Sequence, residues 1–157
     1  MSLGDVYESN LGTLMTLSNT ILPVGFPESF FTEIFTSEKG LFFTKLAYQN
    51  DVAVGTVKAK LLPNKKGGIF HSGVYIEFIV VLGYYRSKGI GKMLLDYIES
   101  ESKRHFQHDI YLHVATDNVI GMEWYKKNGF KQQGDTLINY YKRTTGSPNA
   151  YIMKKTI

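Results

Sequence analysis

A mixed α/β sheet with helices on both faces is the fold class this sequence predicts, and three observations carry it. Over residues 75–98, YIEFIVVLGYYRSKGIGKMLLDYI, an apolar strand enters a basic, glycine-containing loop and leaves as an amphipathic helix. Upstream, two apolar runs meet at Asn50-Asp51, a hairpin signal. Downstream, Asp109–Ala115 reads as another strand, so the intervening helix is a crossover that makes its two flanking strands parallel.

The elements follow in order. Residues 10–20 are predicted as the first helix, with Leu11, Leu14, Met15 and Leu17 apolar and Ser9 or Asn10 as its cap. It stops at Ile21-Leu22-Pro23-Val24-Gly25-Phe26-Pro27, an apolar loop stiffened by two prolines. That loop either tucks into the core or walls a substrate. Pro27-Glu28-Ser29 opens a second helix to about residue 36. Residues 41–49 and 53–62 are the hairpin strands, 63–68 a polar turn, and 71–82 a third long strand. In the crossover helix, residues 89–104, apolar Ile90, Met93, Leu94, Tyr97 and Ile98 recur at helical spacing. Along Asp109–Ala115, Ile110, Leu112 and Val114 share one face, and Tyr111 and His113 the other. Residues 118–127 form a short helix that Asn128-Gly129 ends. Strands are expected at 130–135 and 150–155, with further candidates at 3–7 and 139–142.

Composition bounds the function. The 157 residues suit a single domain, residues 1–157. Apolar residues make up 43%, enough for a core. Zero cysteines exclude a disulfide framework, a thiolate metal site and a cysteine nucleophile. Four histidines without paired spacing argue against zinc, and no metal is expected. No apolar run has membrane-span length, and MSLGDVYESN lacks the features of a signal peptide. A soluble, cytoplasmic protein is the expectation. The net charge of +4, from 18 Lys+Arg minus 14 Asp+Glu, suits an anionic cofactor. No dense Arg/Lys stripe points to direct nucleic-acid recognition.

The loop between strand and crossover helix is the chemical centre. The first amides of a helix lack intrahelical partners, and its N-terminal dipole favours an anion. Gly89 and Gly91 leave room for a phosphate, and Arg86, Lys88 and Lys92 surround it with positive charge. The bland alternative is a tight strand-to-helix turn on a basic surface. A P-loop is excluded because Met93 follows Gly91-Lys92, and a dinucleotide fingerprint because Leu94 stands where its third glycine belongs. What remains is R-x-x-G-x-G after a buried strand.

That pattern resembles the coenzyme A loop of the GNAT superfamily of acetyltransferases. Leu22-Pro23-Val24-Gly25-Phe26, Tyr75-Ile76, Tyr111-Leu112-His113-Val114, Asn118, Trp124-Tyr125-Lys126-Lys127-Asn128-Gly129-Phe130 and Asn139-Tyr140-Tyr141-Lys142-Arg143 extend the resemblance. Over about residues 3–157 the chain is similar to NatE-type N-terminal acetyltransferases. The resemblance implies the GNAT fold: a mostly antiparallel sheet with one splayed parallel pair. It implies acetyl-CoA as cofactor and nascent polypeptide N-termini as substrate, with a retained initiator Met followed by an apolar residue. It also implies NatA auxiliary and catalytic subunits as partners near the ribosome. Two alternatives stand beside this: a weakly active or inactive acetyl-CoA-binding subunit that stabilises NatA, and a GNAT acting on lysine or polyamine.

The resemblance also assigns residues. Tyr75 and His113 carry base work through a water, and Tyr125 protonates the leaving thiolate. The Ile79, Val80, Val81 and Leu82 segment supplies an oxyanion N–H. Arg86, Ser87, Lys88, Gly89, Ile90, Gly91, Lys92, Asn118 and Tyr125 bind the cofactor. Leu22, Pro23, Val24 and Phe26 wall the first side chain, while Tyr140 and Tyr141 cover it from a late hairpin. Val24 sits where NatA-type subunits carry an acidic residue. On chemistry alone, Tyr75 is equally an ordinary strand aromatic, His113 a satisfied core histidine and Tyr125 plain packing. Phe26 replaces an expected tyrosine, and Thr144 is more polar than the pattern. Glu77 replaces an expected apolar residue on the strand face of Tyr75. It contributes to base work, binds the substrate ammonium, or weakens the apolar pocket.

Overall fold

The computed structural model describes residues 1–22, 25–36, 41–62, 72–142 and 146–157. A seven-stranded sheet runs through it in the order β1-β2-β3-β4-β5-β7-β6. The strands are β1 Ser2–Gly4, β2 Phe42–Gln49, β3 Val52–Leu62, β4 Gly73–Val81, β5 Asp109–Ala115, β6 Lys131–Gln132 and β7 Ala150–Thr156. The helices are α1 Leu11–Ile21, α2 Glu28–Thr32, α3 Ile90–Arg104 and α4 Val119–Lys127. Every strand pairing is antiparallel except β4 with β5, as the crossover predicts.

Each face buries its own core. Val57, Val74, Ile76, Ile110, Leu112 and Val114 pack against Ile90, Leu94, Leu95 and Ile98 of α3. On the other face, Leu46, Phe78 and Val80 meet Leu14 and Leu17 of α1 and Phe31 of α2. Ile76 and Phe78 therefore face opposite sides although two residues apart, which a regular strand forbids. The register explains it: Ala59 pairs with Ile76 and Lys58 with Phe78, leaving Glu77 as an extra, unpaired residue. This is a β-bulge, and bulges bend a strand and end its pairing. Beyond it, β4 and β5 separate: they pair only at Val74–Ile110 and Tyr75–Tyr111.

Several boundaries depart from expectation. Asn50 and Asp51 both have positive φ (51° and 65°), the two-residue turn that matches strand twist. Asn10 precedes α1, but its side chain accepts the Tyr7 N–H at 2.7 Å instead of capping the helix. The second helix is α only to Thr32, then tightens into a 3-10 turn over Glu33–Phe35. Its aromatic and β-branched residues propagate helix poorly. The strand expected at 130–135 shrinks to Lys131–Gln132, with Gly134 at φ 75° beyond it. The candidate strand at 139–142 is a loop: Asn139 is left-handed at φ 57°, and the extended path ends in a single bridge, Leu137 to Ala150. The polar turn at 63–68 and His71 lie outside the described residues.

Candidate active site

The gap opened by the bulge is where the chemistry-bearing residues meet. It forms part of a cavity of about 220 Å³ lined by β4, β5, α4 and the loop after α1. Leu22 and Phe26 wall it on the α1–α2 side, Tyr125 and Asn118 on the α4 side, and Tyr141 from the late loop. Pro23 and Val24 lie outside the described residues.

Tyr75 and His113 face each other where β4 and β5 begin to part. The Tyr75 hydroxyl lies 2.6 Å from His113 Nδ1. Burial pushes the Tyr75 phenol well above its ordinary range, with the nearby Tyr140 hydroxyl adding to the shift. Burial also lowers His113, to about 4. At neutral pH the phenol is protonated and the imidazole neutral, so Tyr75 donates to Nδ1 and the ring proton sits on Nε2. Tyr140 stacks on the His113 ring, centroids 4.1 Å apart at 9°, and Tyr141 meets Tyr140 edge-on at 4.9 Å. Tyr141 is held by its N–H donating to the Pro148 carbonyl at 2.8 Å. Tyr140 thus sits over His113 and Tyr141 against Tyr140, from a loop rather than the expected hairpin strand.

On the cofactor side, β4 offers backbone. The Leu82 N–H donates to Val54 O at 2.8 Å. Strand amides alternate, so the Val80 amide also faces β3, while those of Ile79 and Val81 face the gap. The loop then turns through Ser87 at φ 62° and Gly89 at φ 84° into α3. The first helical bond runs from the Met93 N–H to the Gly89 carbonyl at 3.0 Å, leaving the amides of Ile90, Gly91 and Lys92 ahead of the ladder. A Cβ added at Gly89 would meet nothing within 4 Å, so the backbone here is open to a ligand. At Gly91 the added carbon would lie 3.1 Å from the Trp124 ring, so this glycine also serves helix packing. Arg86 and Lys88 are exposed; Arg86 Nε donates to Val81 O at 3.3 Å, and Lys88 lies 5.0 Å from the Tyr84 ring centroid. Lys92 pairs with Asp96 one turn on. Open amides, a glycine cradle and flanking cations fit a diphosphate.

Tyr125 and Asn118 reach the cavity from α4, sharing a face as their spacing predicts. Asn118 also caps α4, its Oδ1 accepting the Gly121 N–H at 3.0 Å. The Tyr125 phenol is raised by burial and keeps its proton at neutral pH.

Sequence reasoning singled out Glu77 but missed its partners, Lys58 and Glu33. Glu77 Oε1 accepts from Lys58 Nζ at 3.0 Å, and the same ammonium donates to Glu33 Oε1 at 2.6 Å. The Lys58 side chain is 0% exposed and Glu77's is 10%. Phe30 and Phe42 present ring faces to Lys58, centroids at 3.6 and 4.8 Å. Burial raises the Glu77 carboxyl, and Lys58 opposes the shift. The available signal was a pair of opposite charges on neighbouring apolar strands, Lys58 in VAVGTVKAKLL and Glu77 in GVYIEFIVV.

Comparison with known proteins agrees with this geometry. Residues 11–130 match the model of the acetyltransferase (GNAT) family. N-alpha-acetyltransferase 50 of Danio rerio is 31% identical over 158 aligned residues, covering 100% of this chain and 89% of that protein. The structure of Arabidopsis thaliana Naa50 with the bisubstrate analogue CoA-Ac-MVNAL superposes with a TM-score of 0.83 at 34% identity, covering 99% of this chain and 98% of that one. Arabidopsis NAA60 with a bisubstrate analogue shares the fold, with a TM-score of 0.84 at 23% identity over 99% of this chain and 97% of that one. The chain belongs to the acetyltransferase (GNAT) family, as an acetyl-CoA-dependent N-alpha-acetyltransferase.

Proposed function

We propose that this enzyme acetylates polypeptide N-termini that retain Met followed by an apolar residue. The observation that carries the reading is the 2.6 Å Tyr75–His113 contact at the fork of β4 and β5, beside an apolar wall of Leu22 and Phe26. A thioether side chain packs well in such an irregular apolar space. The analogue bound to Arabidopsis Naa50 begins Met-Val, which supports the same preference.

Acetyl-CoA supplies an activated acyl group whose thioester carbon takes the new N–C bond as the C–S bond breaks. The Ile79 and Val81 amides face the gap and suit an oxyanion. About a tenth of a free α-amine with pKa near 8 is already neutral at pH 7. Its nitrogen turns acidic as the N–C bond forms, so a weak base suffices. Tyr75 accepts that proton as its own moves to His113 Nδ1. Tyr125 is protonated and lines the cavity, where it suits protonation of the leaving sulfur. The Ile90–Lys92 amides and Gly89 suit the diphosphate, with Arg86, Ser87 and Lys88 at its flank. Docking on a NatA auxiliary subunit in the cytoplasm belongs to the same reading.

The test is product mass after incubation with acetyl-CoA and three peptides: one starting Met-Leu, one starting Ser, and one with a blocked terminus and internal lysine. The proposal expects the Met-Leu peptide to be acetylated far above the others. Acetyl-CoA binding without turnover would establish a binding subunit instead, and lysine acetylation a side-chain enzyme.

A further inference from the structure

We propose that Glu77, held in place by the buried Lys58, is the residue that docks the α-ammonium of the incoming polypeptide. This rests on the N-terminal reading above and names a contact that reading leaves open. Three observations support it. First, Glu77 is the extra residue of the bulge, lies on the strand face of Tyr75, and lines the cavity beside Phe26 and His113. Second, only one of its carboxylate oxygens is engaged. Oε1 accepts from Lys58, whereas Oε2 has no hydrogen-bond partner among the described residues and is not among the buried unsatisfied atoms. That oxygen is therefore not sealed from solvent, in a residue that lines the cavity. Third, the ammonium that touches Glu77 is shared. Lys58 also bonds Glu33, and Lys60 acts on Glu77 only through space, so Glu77 keeps acceptor capacity at the wall of a largely apolar pocket. A nine-tenths buried carboxylate is poorly hydrated, as its raised pKa reflects, and it gains from any cation brought to it.

The substrate carries such a cation. At pH 7 about nine-tenths of an α-amine with pKa near 8 is ammonium, so the site captures the abundant form. The ammonium loses this first proton to solvent before attack, and Tyr75, whose phenol feels the Glu77 charge and lies on the same strand face, takes the second one, released as the N–C bond forms. Lys58 is a positioning residue: its ammonium pins Oε1 and leaves Oε2 for the ligand. Glu33 takes the other side of Lys58 and does not line the cavity.

The experiment measures calorimetric binding to the CoA-loaded protein at pH 7. The probes are a peptide starting Met-Leu and its desamino analogue, in which hydrogen replaces the α-amino group. The native enzyme is expected to prefer the amine by about tenfold or more, the scale of a charge-assisted hydrogen bond. Glu77→Gln keeps an oxygen for Lys58 and preserves the fold. It should bring the ratio within about twofold, leave CoA affinity unchanged, and raise the peptide KM with little change in kcat. An unchanged ratio overturns the proposal. So does a collapse of kcat at constant KM, which makes Glu77 the base, or a parallel loss of CoA affinity, which makes it structural. A native enzyme that prefers the amine yet acetylates no α-amine sinks the transfer reading and leaves this contact standing.

Discussion

Lys58→Met is the sharpest perturbation of the buried charge network. The lysine side chain is 0% exposed and sits against two carboxylates at 2.6 and 3.0 Å. Methionine fills much of the same stem volume, so lost packing is minor. The cost comes from stranding Glu77, whose side chain is only 10% exposed. Glu33, at 24%, is freer to turn toward water. Removing one partner of a buried pair costs roughly 3–5 kcal/mol. With one carboxylate able to escape, the lower end applies, about 3 kcal/mol. For a chain of this size that is a fall in Tm of about 6–12 °C. The deficit has a pH signature. An unpaired, desolvated Glu77 has a folded pKa above its unfolded one, so the loss grows as pH rises and is smaller at pH 5 than at pH 7. Replacing both residues, Lys58→Met with Glu77→Met, removes the stranded charge and should recover more than half of the loss. Urea unfolding of the single and double variants measures this. A single-variant loss below about 1 kcal/mol, or a double variant less stable than the single, refutes the reasoning.

Four further outcomes are expected. Tyr75→Phe and His113→Ala each lower turnover by about a hundredfold, within the range of general-base losses, while acetyl-CoA affinity holds; equal loss of cofactor binding in calorimetry would make the pair structural. Gly89→Glu does the reverse, because it places bulk and negative charge at a left-handed, open position, and unchanged acetyl-CoA affinity would displace the diphosphate from this loop. The acid limb of kcat/KM follows the substrate amine near pH 8, since His113 is neutral above about 4; an inflection at pH 6–7 that vanishes in His113→Ala would contradict this. For stability the unfolded His113 takes up its proton first, so its contribution is full above pH 6.5 and lost as pH falls toward about 4. Acid unfolding of His113→Ala should accordingly be shallower through that window, and identical slopes would remove His113 as the cause.

The sheet, the crossover and the glycine loop were legible because each rests on local patterns. Strand alternation in Asp109–Ala115 predicted both faces correctly, and the spacing of Asn118 and Tyr125 put both at the cavity. Glu77 was legible as an anomaly but not as a partner. Its ion pair joins residues 19 positions apart through a bulge, and a one-residue shift in register is invisible to a period-2 pattern. The same shift turns Phe78 to the face opposite Ile76. The late strands were overestimated at 130–135 and 139–142 because positive φ at Gly134 and Asn139 breaks runs that composition alone leaves extended. Tyr140 and Tyr141 still reach the site, since a backbone bond to Pro148 anchors their loop.

The fork between β4 and β5 has a mechanical consequence. Among the described residues, the backbone ladder across it consists of two residue pairs, with α3 as the covalent strap. Any acyl carrier laid along the Ile79 and Val81 amides would add rungs to that ladder from outside the polypeptide. Occupancy should therefore stitch the halves together and slow amide exchange in β5 and β7, far from the loop proposed to hold the carrier's diphosphate.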